Sequence, residues 1–165
     1  MATPTSLPAT FVAGNVLTAA QMNDLRGAFR ILQVVRATDG TARTTTSTSF
    51  VDASISVTIT PTSADSDILL VWTALGKKDG SATEIGYRQI TDSSNVTISG
   101  AEDGLFGQVS SSGVFQYMTL VGFDSPATTS ATTYKGRFRT HSSGGTVELL
   151  NNQATGQMFA LEVSA

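Results

Sequence analysis

The residues that could carry out chemistry in this 165-residue chain are few and scattered. Its single histidine, His141, lies beside serines and glycines in a segment typical of a hairpin turn. A histidine base in a serine-type triad needs a nucleophile and an orienting carboxylate beside it, and no nucleophile elbow is present in the sequence. We therefore interpret His141 as an exposed turn residue and not as a catalytic base.

Metal and cofactor sites are not indicated either. The chain has no cysteine and one histidine, so only carboxylates could bind a metal. Asp65 and Asp67 lie two residues apart, and Glu102 is next to Asp103, but neither pair has the pattern of an EF-hand loop. Among thirteen acidic residues, some pair can have the separation of a glycosidase's two catalytic carboxylates by chance, so the presence of such a pair does not indicate an enzyme. We predict solvated loop acids, no metal, no cofactor and no enzymatic activity.

The charge pattern argues against nucleic-acid and membrane partners. The net charge is −3, and the ten lysines and arginines form no run longer than Lys77-Lys78. A nucleic-acid binder usually carries a basic stripe that neutralises phosphates. The longest apolar run, residues 68–75, is much shorter than the ~20 residues that span a bilayer. The first residues show no secretory signal pattern. We therefore expect neither a nucleic-acid partner nor a membrane partner.

The elements that must position any site are predicted to be β-strands from Gln33 onward. Residues 53–60 and 132–140 alternate between apolar and polar side chains, the pattern of half-buried strands. About eight such strands follow at roughly ten-residue spacing, with turn residues between them. We predict an all-β fold, an antiparallel β-sandwich. A jelly roll is favoured because it holds about eight strands, and an immunoglobulin-like sandwich fits almost as well. Residues 100–113, rich in glycine and serine, are predicted to be a long loop.

The N-terminal residues follow a different pattern. Residues 1–16 contain Pro4 and Pro8 among threonines and serines, which is typical of an extended arm. One short α-helix is predicted next: Thr18 can cap it, Gln21 has the capping-box spacing, and the helix ends near Ile31. So short a helix is unstable alone and must pack on something. We predict two domains, residues 1–32 for anchoring and oligomerisation and residues 33–165 as the sandwich.

Two sets of candidate contact residues follow from these patterns. The first set is the apolar residues of the arm and of one stripe of the helix, which would anchor the chain or join its copies. These residues are Phe11, Val12, Leu17, Met22, Leu25 and Phe29. The second set is aromatic residues that could line a sugar-binding surface if they are exposed. These residues are Tyr87, Phe106, Phe115 and Tyr117.

Residues 11–25, FVAGNVLTAAQMNDL, resemble the opening of many phage tail-fibre and minor tail proteins. Those proteins begin with a short arm, the motif G-x-x-[LV]-T-A-A-x-[LM]-N and a helix. The matching residues here are Gly14, Val16, Leu17, Thr18, Ala19, Ala20, Met22 and Asn23. A weaker resemblance, to small phage β-sandwich modules, covers residues 44–70 and the ending at 151–163. It implies a domain that forms a trimer on a fibre, spike or capsid surface.

These observations predict a phage virion structural protein, located in the virion and assembled in the host cytoplasm. The favoured form is a trimeric fibre, spike or minor tail component, anchored by its N-terminal arm and helix. The alternatives are a capsid decoration protein (a head fibre or cement protein) and a carbohydrate-binding module for the host surface. The expected partners are further copies of the chain, other tail or capsid proteins and, for the last alternative, a host glycan. The sequence does not decide between head and tail.

Overall fold

The computed structural model describes residues 30–79, 85–107, 115–141 and 144–164, together with Gly14, Val16, Thr18 and Ala19. The predicted arm and helix therefore lie almost wholly outside the described residues. The prediction that the helix ends near Ile31 was wrong, because Ile31 is the first residue of a strand and lies opposite Val163. Within the described residues the chain forms ten strands. They are β1 (Ile31–Asp39), β2 (Arg43–Thr45), β3 (Val51–Ile59), β4 (Asp67–Asp79), β5 (Ile85–Thr91), β6 (Thr97–Gly107), β7 (Phe115–Asp124), β8 (Thr132–Thr140), β9 (Thr146–Leu149) and β10 (Gly156–Val163).

The strands form two antiparallel sheets that pack face to face. In the first sheet β1 pairs with β10, β10 with β4, and β4 with β7, while the short β9 and β2 continue the sheet beside the end of β4. The second sheet has the order β3-β8-β5-β6. Without the short β2 and β9, eight strands remain in two sheets of four, the first strand pairing with the last, as in a jelly roll. The predicted β-sandwich is confirmed, and this strand order fits the jelly roll rather than the immunoglobulin-like alternative.

The alternation of apolar and polar side chains explains why these segments form strands. In β3 the residues Ala53, Ile55, Val57 and Ile59 are buried, and the serines and threonines between them are exposed. Successive side chains of a strand point to opposite faces, so this alternation gives one core face and one solvent face. The described residues include no helix long and apolar enough to cross a membrane.

The prediction of a loop at residues 100–113 was wrong for its first half. Strand β6 continues to Gly107 and pairs with β5, with Gly104 opposite Tyr87. A Cβ atom at Gly104 would lie 3.4 Å from Ile85 Cγ2 and 3.8 Å from Tyr87 Cε1. These are ordinary contact distances, so packing does not require a glycine here, and strand pairing overrides its low β-propensity.

The centre of the core is Trp72 of β4, which is fully buried. Its indole ring faces Gly136 of β8 in the opposite sheet. A Cβ atom at Gly136 would lie 3.0 Å from Trp72 Cη2 and 2.9 Å from Ile55 Cγ2. Both distances are shorter than carbon atoms tolerate without movement, so the glycine is what lets the indole occupy this space.

Replacing Gly136 by alanine is expected to lower the free energy of unfolding by about 2 kcal/mol, since an added methyl group overpacks the core. Urea denaturation followed by tryptophan fluorescence measures this loss. Gly40→Ala is the matched control, because no atom lies within 4 Å of a Cβ atom placed there. A Gly136→Ala protein as stable as the Gly40→Ala protein would contradict the tight packing.

Candidate interaction surface

The outer face of the first sheet is the most unusual surface of the described residues. Strand register places side chains from β1, β10, β4 and β7 in rows across this face. The first row consists of Val34, Leu161, Leu69 and Phe123. The second row consists of Arg36, Phe159, Val71 and Val121. We call these two rows the apolar patch.

The apolar patch is exposed at its edge strands and half-buried at its centre. Val34, Val121 and Phe123 are 56%, 50% and 52% exposed. The solvent face of an antiparallel sheet is normally polar, and a contiguous apolar surface of this kind marks an interaction site. The four strands are about 4.8 Å apart, so the patch is about 15 Å wide across the strands. Its two rows lie about 7 Å apart along the strands.

A polar row follows the patch, and beyond it the same face carries Leu75 and the exposed Tyr117 and Phe115. The polar row consists of Thr38, Gln157, Thr73 and Thr119. Arg36 is the only charged residue in the three rows, and its guanidinium carbon lies 5.9 Å from the centre of the Phe159 ring. A depletion of charged residues together with exposed aromatic rings is typical of the centre of a protein interface. The patch therefore has the composition of a surface that another polypeptide covers.

A buried carboxylate fixes the end of the sheet beside the patch. Glu162 of β10 is fully buried. Its Oε1 accepts hydrogen bonds from Thr62 N at 2.7 Å and Thr62 Oγ1 at 2.8 Å, and its Oε2 accepts one from Gln33 Nε2 at 2.6 Å. Burial alone would raise the pKa of Glu162, but the hydrogen bonds from Gln33 and Thr62 outweigh it and lower the pKa below its usual value. Glu162 thus ties the segment after β3 to β1 and β10.

The structure also shows an ion pair between Arg88 and Asp103 that the sequence did not predict. Arg88 of β5 is fully buried, and its Nη2 lies 2.7 Å from Asp103 Oδ2. The prediction that Asp103 is a solvated loop acid was wrong, because β6 extends past it and places its carboxylate beside the guanidinium. Glu102, next in sequence, is exposed as predicted. The described residues contain no group of three or more potential ligands that could hold a metal ion.

The predicted sugar-contact residues lie on different surfaces. Phe115 and Tyr117 of β7 are exposed on the outer face of the first sheet, where Phe115 is opposite Lys77. Tyr87 of β5 lies on the outer face of the second sheet, with its ring centre 4.2 Å from the Arg139 guanidinium carbon. Phe106 belongs to β6, and its side chain is outside the described residues. Tyr87 therefore cannot form one platform with Phe115 and Tyr117.

Two other predicted features have definite positions. His141 is exposed directly after β8, and its ring centre lies 5.7 Å from that of Tyr87. This position agrees with an exposed turn residue. The predicted anchoring residues lie outside the described residues, and their role stays a prediction. They are Phe11, Val12, Leu17, Met22, Leu25 and Phe29.

No family model and no curated protein match this chain. Several solved structures share weak similarity with it, among them two viral proteins. The D431N mutant VP2 protein of infectious bursal disease virus has a TM-score of 0.41 and 11% identity, covering 81% of this chain and 36% of that chain. The enzymatically active domain of tailspike protein 4 of bacteriophage CBA120 has a TM-score of 0.30 and 11% identity, covering 80% of this chain and 20% of that chain. Similarity this weak assigns no function, and the fold assignment rests on the strand order.

Proposed function

We propose that this chain is a non-enzymatic structural protein of a phage virion, a tail-associated fibre, spike or minor tail component that works as a trimer. The apolar patch supports this proposal most directly, because an exposed apolar sheet face suits a protein that works in an assembly. The motif at residues 14–23 supports the tail location through its resemblance to tail-fibre and minor tail proteins. The N-terminal arm and helix would anchor each copy.

The role of the β-domain follows from its two faces. The outer face of the second sheet carries Lys135, Arg137 and Arg139 along β8, in contrast to the apolar patch on the first sheet. Charged faces stay in water, whereas apolar faces favour burial. We infer that the first sheet faces the assembly and the second sheet faces outward.

The test is to locate the protein in purified virions by mass spectrometry and by immunogold labelling. We expect the label on the tail, and the variant Leu25→Asp should reduce incorporation at least tenfold, since a charge would interrupt the apolar stripe of the predicted helix. Arg26→Asp is the matched control, one position away and off the stripe.

The outcomes separate the parts of the proposal. Absence of the protein from virions would overturn the function as a whole. Full incorporation of Leu25→Asp would overturn anchoring by the helix. A label on the head would favour the capsid decoration alternative.

A further inference from the structure

The outer face of the second sheet carries three positive charges in a line. Lys135, Arg137 and Arg139 alternate with core residues along β8, and all three side chains are half-buried. Same-face side chains of one strand lie about 7 Å apart. The strand register extends the row of Arg137 to Asp52 of β3 on one side and, across β5, to Glu102 of β6 on the other. A row of cations thus crosses this face in a chain whose net charge is −3.

The three cations are held in place without being neutralised. Arg137 Nη2 donates a hydrogen bond to Phe50 O at 2.6 Å. Arg139 Nη1 donates one to Thr140 O at 3.2 Å, and Lys135 Nζ donates to a third backbone carbonyl at 2.9 Å. None of the three forms an ion pair with a carboxylate of the described residues. Like charges side by side repel one another, so this row favours a ligand of opposite charge.

Arg139 is the cation best placed to bind a planar anionic group. Its guanidinium carbon lies 5.0 Å from the centre of the Phe50 ring and 4.2 Å from the centre of the Tyr87 ring. Phe50 directly precedes β3 and Tyr87 belongs to β5, so the two rings flank β8 on opposite sides. Rings on both sides hold the guanidinium in position. Its N–H groups form a planar fork, which matches the two oxygens of a carboxylate.

Two rings extend the surface beside this fork. The ring centres of Tyr87 and His141 are 5.7 Å apart, and His141 is exposed while Tyr87 is half-buried. Gly104 is opposite Tyr87 on β6, so no side chain of that residue covers the ring. An aromatic ring combines an apolar face with a polar tip or edge. This combination suits a sugar, whose C–H groups pack on the face while its hydroxyl groups bind at the edge.

The flanking carboxylates favour a polymer of moderate charge density. Asp52 and Glu102 are exposed at the two ends of the Arg137 row. They would repel a nucleic acid, which carries a phosphate on every nucleotide. A polysaccharide with one carboxylate on a sugar brings fewer charges and also uses the rings. The surface therefore fits an acidic sugar chain better than a chain of phosphates.

We propose that the outer face of the second sheet binds an acidic polysaccharide. Carboxylates of the polymer bind Arg139 and Arg137, and its sugar rings pack against Tyr87 and His141. This inference rests on the proposed function in one respect, the outward position of the second sheet. It adds a ligand and a chemical class of ligand to that face.

Isothermal titration calorimetry of the full-length protein with polygalacturonate and with polysialic acid, at low ionic strength, tests the inference. We expect at least one of the two polymers to bind. Arg139→Gln should weaken this binding about tenfold, since a hydrogen bond between charged groups contributes about that much. Arg139→Lys keeps the charge but loses the fork, and it should also weaken binding. Arg36→Gln is the matched control, because Arg36 is an exposed arginine on the first sheet. Melting temperatures show that each variant is folded.

Four results would overturn the inference. Binding to neither polymer would remove the ligand while leaving the proposed function intact, because that function is tested in virions. Equal weakening by Arg139→Gln and Arg36→Gln would place the polymer elsewhere. Equally tight binding of fully methyl-esterified polygalacturonate would show that carboxylates are not recognised. Tighter binding of polyphosphate or polyglutamate would indicate another class of partner. A protein that binds the polymer but is absent from virions would support the inference and overturn only the proposed function.

Discussion

Replacing Asp103 by alanine is expected to lower the free energy of unfolding by about 2–3 kcal/mol, since removing this half-buried carboxylate leaves the fully buried charge of Arg88 uncompensated. Arg88 is fully buried, and its Nε and Nη2 donate to the two Asp103 oxygens at 3.2 and 2.7 Å. The guanidinium also lies over the Trp72 ring, 5.1 Å from its centre. Without the carboxylate, Nε and Nη2 lose these acceptors, and Nη1 already lacks a hydrogen-bond partner among the described residues.

The measurement is urea denaturation at pH 7, with Glu102→Ala as the matched control. Glu102 is the preceding residue on β6 and is exposed, so its loss should change the free energy by about 0.5 kcal/mol or less. The double variant Arg88→Met, Asp103→Ala should recover most of the loss, because it removes both charges and keeps an apolar side chain of similar length. If Asp103→Ala were as stable as Glu102→Ala, the ion pair would contribute little.

The second large effect is expected at Glu162, where Glu162→Gln should cost about 2–3 kcal/mol at pH 7, since hydrogen bonds to a buried charge are stronger than neutral ones. The amide offers one accepting oxygen where the carboxylate offers two, so either the Thr62 donors or Gln33 lose their partner. The variant should therefore loosen the segment after β3 from the end of β10.

The lowered pKa of Glu162 also predicts an acid-sensitive stability. In the unfolded chain a glutamate has a pKa of about 4.3. Because the folded value lies below it, this stabilisation is complete above about pH 5 and is lost as the pH falls through the folded value.

Thermal denaturation between pH 7 and pH 3 tests this dependence. The difference in melting temperature between the native protein and Glu162→Gln should shrink as the pH falls. A difference that stays constant over this range would contradict the assignment. Glu102→Gln is the control, because its carboxylate is exposed.

Much of the fold could be predicted because its signals are local. The alternation in β3 and β8 identifies strands from a few consecutive residues. The prediction failed at residues 100–107, where the glycine content is typical of a loop although the segment belongs to strand β6. The partners that make this segment a strand, such as Tyr87 of β5, lie elsewhere in the sequence.

The apolar patch could not be predicted, because it depends on register between distant strands. Val34 and Leu161 become neighbours only when β1 pairs with β10. One signal was nevertheless present. The apolar run at residues 68–75 predicts a strand with two apolar faces, yet the core covers only the face of Ile68, Leu70 and Trp72. A second apolar face without a second core layer indicates a missing partner.

The pairing of the first strand with the last has a consequence for how the protein is made. The hydrogen bond between Arg30 and Ser164 joins residues 134 positions apart. A ribosome releases the chain from its N-terminus, so β1 must wait until β10 has emerged, and contacts of such long range form slowly. The row from Val34 to Phe123 is incomplete until then. The complete apolar patch therefore forms only after β10 has left the ribosome, and a partly made chain does not present it.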